Sequence, residues 1–119
     1  MTKNIDEFVI YHNPRCSKSR AALELLRQRG IEPKIIEYLK TPPTEDELRD
    51  VINKLGIKPE ALMRKGEEMF MEHFSRCNLS DEECIATMKK YPILIERPIV
   101  IRGDRAVVGR PLERVDELL

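Results

Sequence analysis

The chain has 119 residues, which is a common length for one domain with a single hydrophobic core. Hydrophobic residues make up 41% of the chain and charged residues 35%, a composition typical of a globular protein and not of a disordered one. Because 21 basic residues balance 21 acidic ones, no overall field favours nucleic acid or an anionic membrane, and we expect neither as a partner.

The N-terminal part of the sequence predicts a strand, a helix and a second strand. Phe8 to His12 is a short run of β-forming residues that ends at an Asn-Pro pair, which is typical of a buried strand. The apolar spacing within Ser17 to Arg29, closed by Gly30, predicts an amphipathic helix, and Lys34 to Tyr38 predicts the second strand. A unit of this kind normally places its two strands parallel to each other.

The middle of the chain, at about 44–90, predicts helices. Capping boxes begin at Thr44 and Ser80, and they predict helices that end near Leu55 and Lys90. Pro59 to Phe74 predicts a further helix between these two. We therefore expect a helical insert in this part of the chain.

The C-terminal part predicts a hairpin and a closing helix. Ile99 to Arg102 and Arg105 to Val108 are apolar β-branched runs joined by Gly103-Asp104, a pair that favours a tight turn. Pro111 suits the first position of a helix that ends near Leu118. The order of elements is that of an α/β domain with the thioredoxin-like fold. We expect one such domain over 1–119, with a four-stranded mixed sheet flanked by helices and the insert between the second and third strands.

Cys16 directly follows the first strand and begins the first helix. Unpaired N–H groups and the helix dipole favour a thiolate at this position, and Arg15, Lys18 and Arg20 add positive charge. The same N–H groups can bind an anion. The sequence therefore predicts a reactive thiolate beside an anion site, although a small buried structural cysteine is the alternative.

Two other kinds of cysteine site do not fit the residues around Cys16. A tyrosine-phosphatase loop needs an arginine six residues after its cysteine, where this chain has Ala22. A dithiol redox pair needs a second cysteine three residues on, where this chain has Ser19. Chemistry with a single thiol is therefore expected.

The three cysteines of the chain have spacings that fit neither a disulfide framework nor a zinc site. The first residues lack the pattern of a secretory signal, and no apolar run reaches the length of a membrane span. We therefore expect reduced thiols in the cytoplasm and no bound metal.

Several stretches of the sequence carry a resemblance to a known family. Residues 12–20 read His-Asn-Pro-Arg-Cys-Ser-Lys-Ser-Arg, and the other stretches are Tyr38-Leu39 followed by Thr41-Pro42-Pro43, Leu62-Met63-Arg64-Lys65, Pro92 to Val100, and Gly109-Arg110-Pro111. Together they span nearly the whole chain. The sequence resembles the ArsC family of glutaredoxin-coupled arsenate reductases, and most closely an arsenate-reductase-like subgroup that carries the first stretch.

The resemblance implies a thioredoxin-like fold in which Cys16 is the nucleophile. It also implies that Arg64, Arg97 and Arg110 bind the oxyanion, which suits guanidinium groups because their forked donors hold two oxygens at once. Pro98 fits the position of the cis proline that lies beside the reactive cysteine in thioredoxin-like folds.

Three residues near Cys16 are further candidates for the site. His12 resembles a family histidine that could lower the pKa of the thiol, or it could bind the backbone at the end of its strand. Ser19 could donate a hydrogen bond to the thiolate, or it could be an ordinary helical residue. Asn13 is a candidate for a structural role near the site.

The implied reaction reduces arsenate to arsenite through a covalent cysteine–arsenic intermediate. Glutathione would be the co-substrate and glutaredoxin the protein partner, with no bound cofactor. A regulator of the Spx type, which binds RNA polymerase, is one alternative, and a general glutathione-linked thiol oxidoreductase is another. Cys77 and Cys84 have a spacing that an internal thiol shuttle could use, but an apolar helix face for Cys84 and a polar loop for Cys77 are the simpler interpretation.

Overall fold

The computed structural model describes residues 7–74 and 78–119. They form two compact units, one made of residues 7–41 and Arg97–Leu119 and the other of Pro42–Glu96. The first unit contains four strands and α1; the strands are β1 (Phe8–Tyr11), β2 (Lys34–Ile36), β3 (Ile99–Arg102) and β4 (Arg105–Val108), and the helix α1 is Ser17–Gln28. The second contains the remaining α-helices, α2 (Glu45–Leu55), α3 (Glu68–His73) and α4 (Asp81–Lys90).

The four strands form one mixed sheet in the order β2-β1-β3-β4. β2 is parallel to β1, as the strand–helix–strand pattern predicts, and β3 is antiparallel to both β1 and β4. Tyr11, the last residue of β1, pairs with Ile99, the first residue of β3. This register brings the segment that leaves β1 towards Cys16 next to the segment that enters β3 through Arg97 and Pro98.

One side of the sheet is covered by α1 and by a 3₁₀ helix at Leu112–Leu118. α1 ends where Gly30 adopts the left-handed conformation with φ +78°, which favours glycine. The buried cluster between these elements consists of Phe8, Ile10, Ala22, Leu23, Leu26, Val100, Val107, Val115 and Leu118. The four-stranded mixed sheet flanked by helices is thus confirmed.

In the second unit, the longer helices α2 and α4 begin and end where the sequence predicts. Thr44 and Ser80 form complete capping boxes, since each hydroxyl accepts a hydrogen bond from a backbone N–H and each third-position glutamate bonds back to the cap. α2 stops at Gly56, which is left-handed with φ +68°.

The single helix predicted for Pro59 to Phe74 is wrong. The structure has a 3₁₀ helix at Pro59–Leu62, then an extended stretch in which Met63 pairs with Ile95, and α3 only from Glu68. Backbone hydrogen bonds from the N–H of Arg64 to the carbonyl of residue 94 (2.7 Å) and from the N–H of residue 96 to the carbonyl of residue 62 (2.8 Å) hold this stretch. These groups therefore pair with a distant segment and cannot also pair within a helix.

Two predicted boundaries also differ by a small amount. β2 ends at Ile36 because the carbonyl of Glu37 accepts from the N–H groups of Lys40 and Thr41 in a turn. Pro111 is the residue before the closing 3₁₀ helix and not its first residue. In the part of the chain that the structure describes, no helix is long and apolar enough to cross a bilayer.

Candidate active site

Cys16 is the N-cap residue of α1, with extended backbone angles of φ −96° and ψ 121°. Asn13 builds the turn in front of it, because its side-chain oxygen accepts from the N–H of Arg15 (3.0 Å) and its carbonyl accepts from the N–H of Cys16 (2.9 Å). The thiol is partly exposed. The structure thus places Cys16 at the start of the helix, and Asn13 beside it, as the sequence predicts.

The surroundings of Cys16 favour its thiolate. Burial alone works to raise the pKa of the thiol, but the backbone N–H groups of Ser19 and Lys18 and the guanidinium of Arg97 outweigh burial and hold the pKa below its ordinary value. The sulfur closes no strict capping hydrogen bond, so the helix N–H groups act on it mainly through their electrostatic field. A larger share of thiolate at neutral pH follows from this lowered pKa.

Arg97, which interacts with the sulfur of Cys16, also has two buried donor atoms. Its Nε and Nη1 atoms are buried, and neither has a hydrogen-bond partner among the described residues. Such donors are costly to bury without an acceptor, and the forked group matches two oxygens of a tetrahedral oxyanion. The donor set beside Cys16 therefore suits an anion.

The peptide bond between Arg97 and Pro98 is cis, as predicted. A second cis bond joins Arg110 to Pro111, which the sequence reasoning did not predict and for which the dipeptide itself carries no signal.

Gly109, which directly follows β4, supports Pro98. Its N–H donates to the carbonyl of Pro98 (2.8 Å), and a Cβ at position 109 would lie 3.1 Å from Cγ of Pro98 and 3.2 Å from Cγ2 of Val115. The sequence did not predict this role. A glycine directly after a strand, at a place where no turn is predicted, is the signal that could have indicated it.

His12 and Ser19 form a buried hydrogen-bonded pair next to the nucleophile. Nδ1 of His12 lies 2.6 Å from Oγ of Ser19, and the same Oγ accepts from the N–H of Asn13 at 3.0 Å. Burial lowers the pKa of the imidazole; Glu37 opposes this shift, and Arg27 and Arg20 add to it. The hydroxyl of Ser19 thus binds His12 and Asn13, whereas the group of Ser19 that acts on the sulfur is its backbone N–H.

The other two arginines predicted to bind the anion are Arg64 and Arg110. Arg64 belongs to the second unit, where its Nη1 donates to a carboxylate oxygen of Glu67 at 3.1 Å. Arg110 is exposed and follows β4. A role of either residue in anion binding stays a prediction.

The remaining cysteines are Cys84 and Cys77, and the structure describes only the first. Cys84 is only 1% exposed within α4, and burial, with Glu60 and Asp81 adding to it, raises the pKa of its thiol. Its place on an apolar helix face agrees with the simpler interpretation. Cys77 lies outside the described residues. Across 7–74 and 78–119, no group of three or more His, Cys, Asp or Glu side chains is arranged to hold a metal ion.

Comparison with known proteins gives consistent matches over almost the full length. The model of the ArsC family matches residues 11–118. An arsenate reductase of Neisseria meningitidis is 44% identical over 115 residues, covering 95% of this chain and 98% of that protein. An arsenate reductase of Escherichia coli strain K12 is 44% identical over 116 residues, covering 97% of this chain and 82% of that protein. The solved structure of an arsenate reductase from Vibrio cholerae superposes with a TM-score of 0.90 at 46% identity, covering 95% of this chain and 98% of that one. From its sequence and its fold, the chain belongs to the ArsC family.

Proposed function

We propose that this protein is an arsenate reductase that uses Cys16 as its nucleophile, glutathione as co-substrate and glutaredoxin as its protein partner. The observation that carries the proposal is that a thiol of lowered pKa lies beside Arg97, whose buried Nε and Nη1 atoms have no hydrogen-bond partner among the described residues. This arrangement offers a nucleophile and an oxyanion ligand at one place. Support also comes from the names of relatives that match nearly the whole chain.

In the first step the Cys16 thiolate attacks the arsenic of arsenate. A sulfur–arsenic bond forms and one protonated oxygen leaves as water, so that the arsenic stays in its +5 state. Arg97 holds the anionic oxygens through its forked donors, which stabilises the charge as the new bond forms. Arg64 and Arg110 are proposed as further oxyanion ligands.

The electrons come from two thiols supplied from outside the chain. One glutathione adds to the arsenic of the adduct as a second oxygen leaves as water. The glutaredoxin thiolate then attacks the glutathione sulfur, which breaks the bond between that sulfur and arsenic and leaves two electrons on arsenic, now in its +3 state. Water displaces Cys16 from arsenic and releases arsenite, and a second glutathione reduces the mixed disulfide of glutaredoxin. Overall, arsenate and two glutathione molecules give arsenite, glutathione disulfide and water. Cys84 is buried and its thiol pKa is raised, so it is a poor candidate for an internal reductant. No bound metal or organic cofactor enters this scheme.

The proposed reductants are thiols, and thiols persist in a reducing compartment. We therefore infer that the protein works in the cytoplasm, where its own cysteines also stay reduced.

A coupled assay with single omissions tests the proposal. NADPH oxidation through glutathione reductase is followed with arsenate, glutathione, glutaredoxin and the protein, and then with each component left out in turn. We expect the rate to fall to background in every omission. Oxidation that continues without arsenate once a small disulfide such as hydroxyethyl disulfide is added would favour the general thiol oxidoreductase, and a protein with no turnover on either substrate would favour the regulator.

A further inference from the structure

A concave site lies along α1, and its lining includes His12 but not Arg97. It is a pocket of about 530 Å³ whose lining includes Pro14, Arg20, Leu23 and Glu24. This volume is within the range of small-molecule sites. Pro14 and Leu23 form an apolar wall, and Arg20 and Glu24 place opposite charges one helical turn apart.

Arg20 and Glu24 do not neutralise each other. Arg20 donates from Nη1 to the carbonyl of Pro14 at 3.0 Å, and within the described residues no carboxylate forms an ion pair with it. Among the described residues, Glu24 accepts only a long hydrogen bond from Gln28, at 3.5 Å, and it interacts with Arg27 through charge alone. Arg and Glu at this spacing often pair on a helix surface. Here a guanidinium and a carboxylate that form no ion pair with each other line the same pocket instead.

Arg27, which also lines the pocket, already forms an ion pair. Its Nε and Nη2 bind the carboxylate of Glu32 at 2.8 to 3.2 Å. The charges left for a ligand are therefore one cation and one anion. A zwitterionic α-amino acid group, with a carboxylate and an ammonium on one carbon, matches this pair.

We propose that the pocket binds the γ-glutamyl end of glutathione, with Arg20 on its α-carboxylate and Glu24 on its α-ammonium group. The methylenes of the γ-glutamyl side chain would lie against Pro14 and Leu23. This assignment rests on the proposed function, because it gives the co-substrate of that reaction its binding site.

The distance to the nucleophile fits this ligand. The N–H of Arg20 donates to the carbonyl of Cys16 at 3.0 Å, so the two residues are one helical turn apart at the same end of α1. One helical turn advances about 5.4 Å along the helix axis. In glutathione the thiol is eight covalent bonds from the α-amino group, which spans roughly 10 Å in an extended conformation. A γ-glutamyl group held by Arg20 can therefore present the thiol to an adduct on Cys16.

Binding of S-methylglutathione tests the assignment without any redox step. Its affinity is measured by titration calorimetry for the wild type, Arg20→Gln, Glu24→Gln and the control Arg29→Gln, which removes a positive charge at the far end of the same helix, outside the pocket. We expect Arg20→Gln and Glu24→Gln each to weaken binding roughly tenfold, as the loss of a charged hydrogen bond does, with a much smaller effect of Arg29→Gln. S-methylcysteinylglycine, which lacks the γ-glutamyl group, should bind weakly to all four proteins.

Three results would overturn the assignment: no binding to the wild type, equal affinity of the two pocket variants and the wild type, or free glutamate binding as tightly as S-methylglutathione with the same dependence on Arg20. The last result would make the pocket a site for free amino acids. Arsenate turnover of the wild type is measured in parallel, so that failure of the proposed reductase activity is seen separately from failure of this site.

Discussion

The imidazole of His12 and the hydroxyl of Ser19 lie 2.6 Å apart in the interior of the protein, at the end of β1 and in the first turn of α1. The contact joins the strand to the helix on either side of Cys16. Through this contact the hydroxyl of Ser19 supports the site. The geometry around Cys16 therefore depends on the protonation state of the buried His12.

Protonation of His12 should cost stability as the pH falls. Because burial lowers the pKa of His12 in the folded state, the unfolded chain binds the proton more readily. The stability that depends on neutral His12 is present above the unfolded pKa, near 6.5, and is lost as the pH falls through the folded pKa. The free energy of unfolding in urea should thus decrease between about pH 7.5 and 5.5 in the wild type, and decrease less in His12→Asn.

His73 provides the matched control for this experiment. It is the second of the two histidines and its side chain is 62% exposed. His73→Asn should keep the pH dependence of the wild type. If His12→Asn keeps the pH dependence of stability and His73→Asn loses it, the buried pair of His12 and Ser19 is not the cause of that dependence.

Arg97→Lys should impair catalysis although it keeps the positive charge. Lysine provides a point charge where the buried Nε and Nη1 atoms of Arg97 offer a planar fork. Loss of one preorganised donor to a developing oxyanion costs about 3 kcal/mol, or roughly a hundredfold in rate. The measurement is kcat for arsenate, together with the pH dependence of the alkylation of Cys16, whose midpoint in the wild type should lie below the ordinary thiol pKa.

Arg29→Lys is the control for Arg97→Lys. Arg29 is exposed at the other end of α1 and forms an ion pair with Asp116 at 3.3 Å. Its variant should retain the turnover of the wild type. Near-normal turnover in Arg97→Lys would show that Arg97 is not a forked ligand of the anion.

Gly109→Ala should destabilise the fold by about 1–3 kcal/mol, the usual cost of forcing extra volume into a packed interior. The added methyl group would lie 3.1 Å from Pro98 and 3.2 Å from Val115, both of which are buried. Urea denaturation measures the loss. Gly66→Ala is the control, because a Cβ there meets nothing within 4 Å, and equal stability of the two variants would contradict the packing argument.

Cys84→Ala should keep arsenate turnover near that of the wild type while lowering stability by about 1 kcal/mol, as is typical for a buried residue. The reason is that Cys84 is buried and its raised pKa keeps it a thiol. Turnover and urea denaturation are measured on the same preparation. A variant that stays folded but loses turnover would mean that Cys84 takes part in the reduction.

The elements that local sequence determines were predicted well. β3 and β4 have the predicted bounds because apolar β-branched runs flank a Gly-Asp turn, in which Gly103 has φ +62°. The capping boxes at Thr44 and Ser80 are equally local, since cap and partner lie three residues apart.

What the sequence could not predict depends on contacts between distant segments. The helix expected around Met63 is interrupted because that residue pairs with Ile95. In the site, the helix start indicated a reactive Cys16, but the unpaired donors of Arg97 and the contact between Gly109 and Pro98 exist only once β1, β3 and β4 have assembled. The resemblance to a family named Arg97 as an oxyanion ligand, whereas the residues alone could not place it beside the sulfur.

The central claim is that Cys16 reduces arsenate, and the most direct test is to measure the arsenite formed. Arsenic species are separated and quantified during the coupled reaction for the wild type and for Cys16→Ser, alongside the NADPH consumed. Our account predicts one arsenite for each NADPH oxidised by the wild type, and none above background for the folded serine variant. Arsenite formation that persists in Cys16→Ser, or NADPH oxidation by the wild type without arsenite, would contradict it.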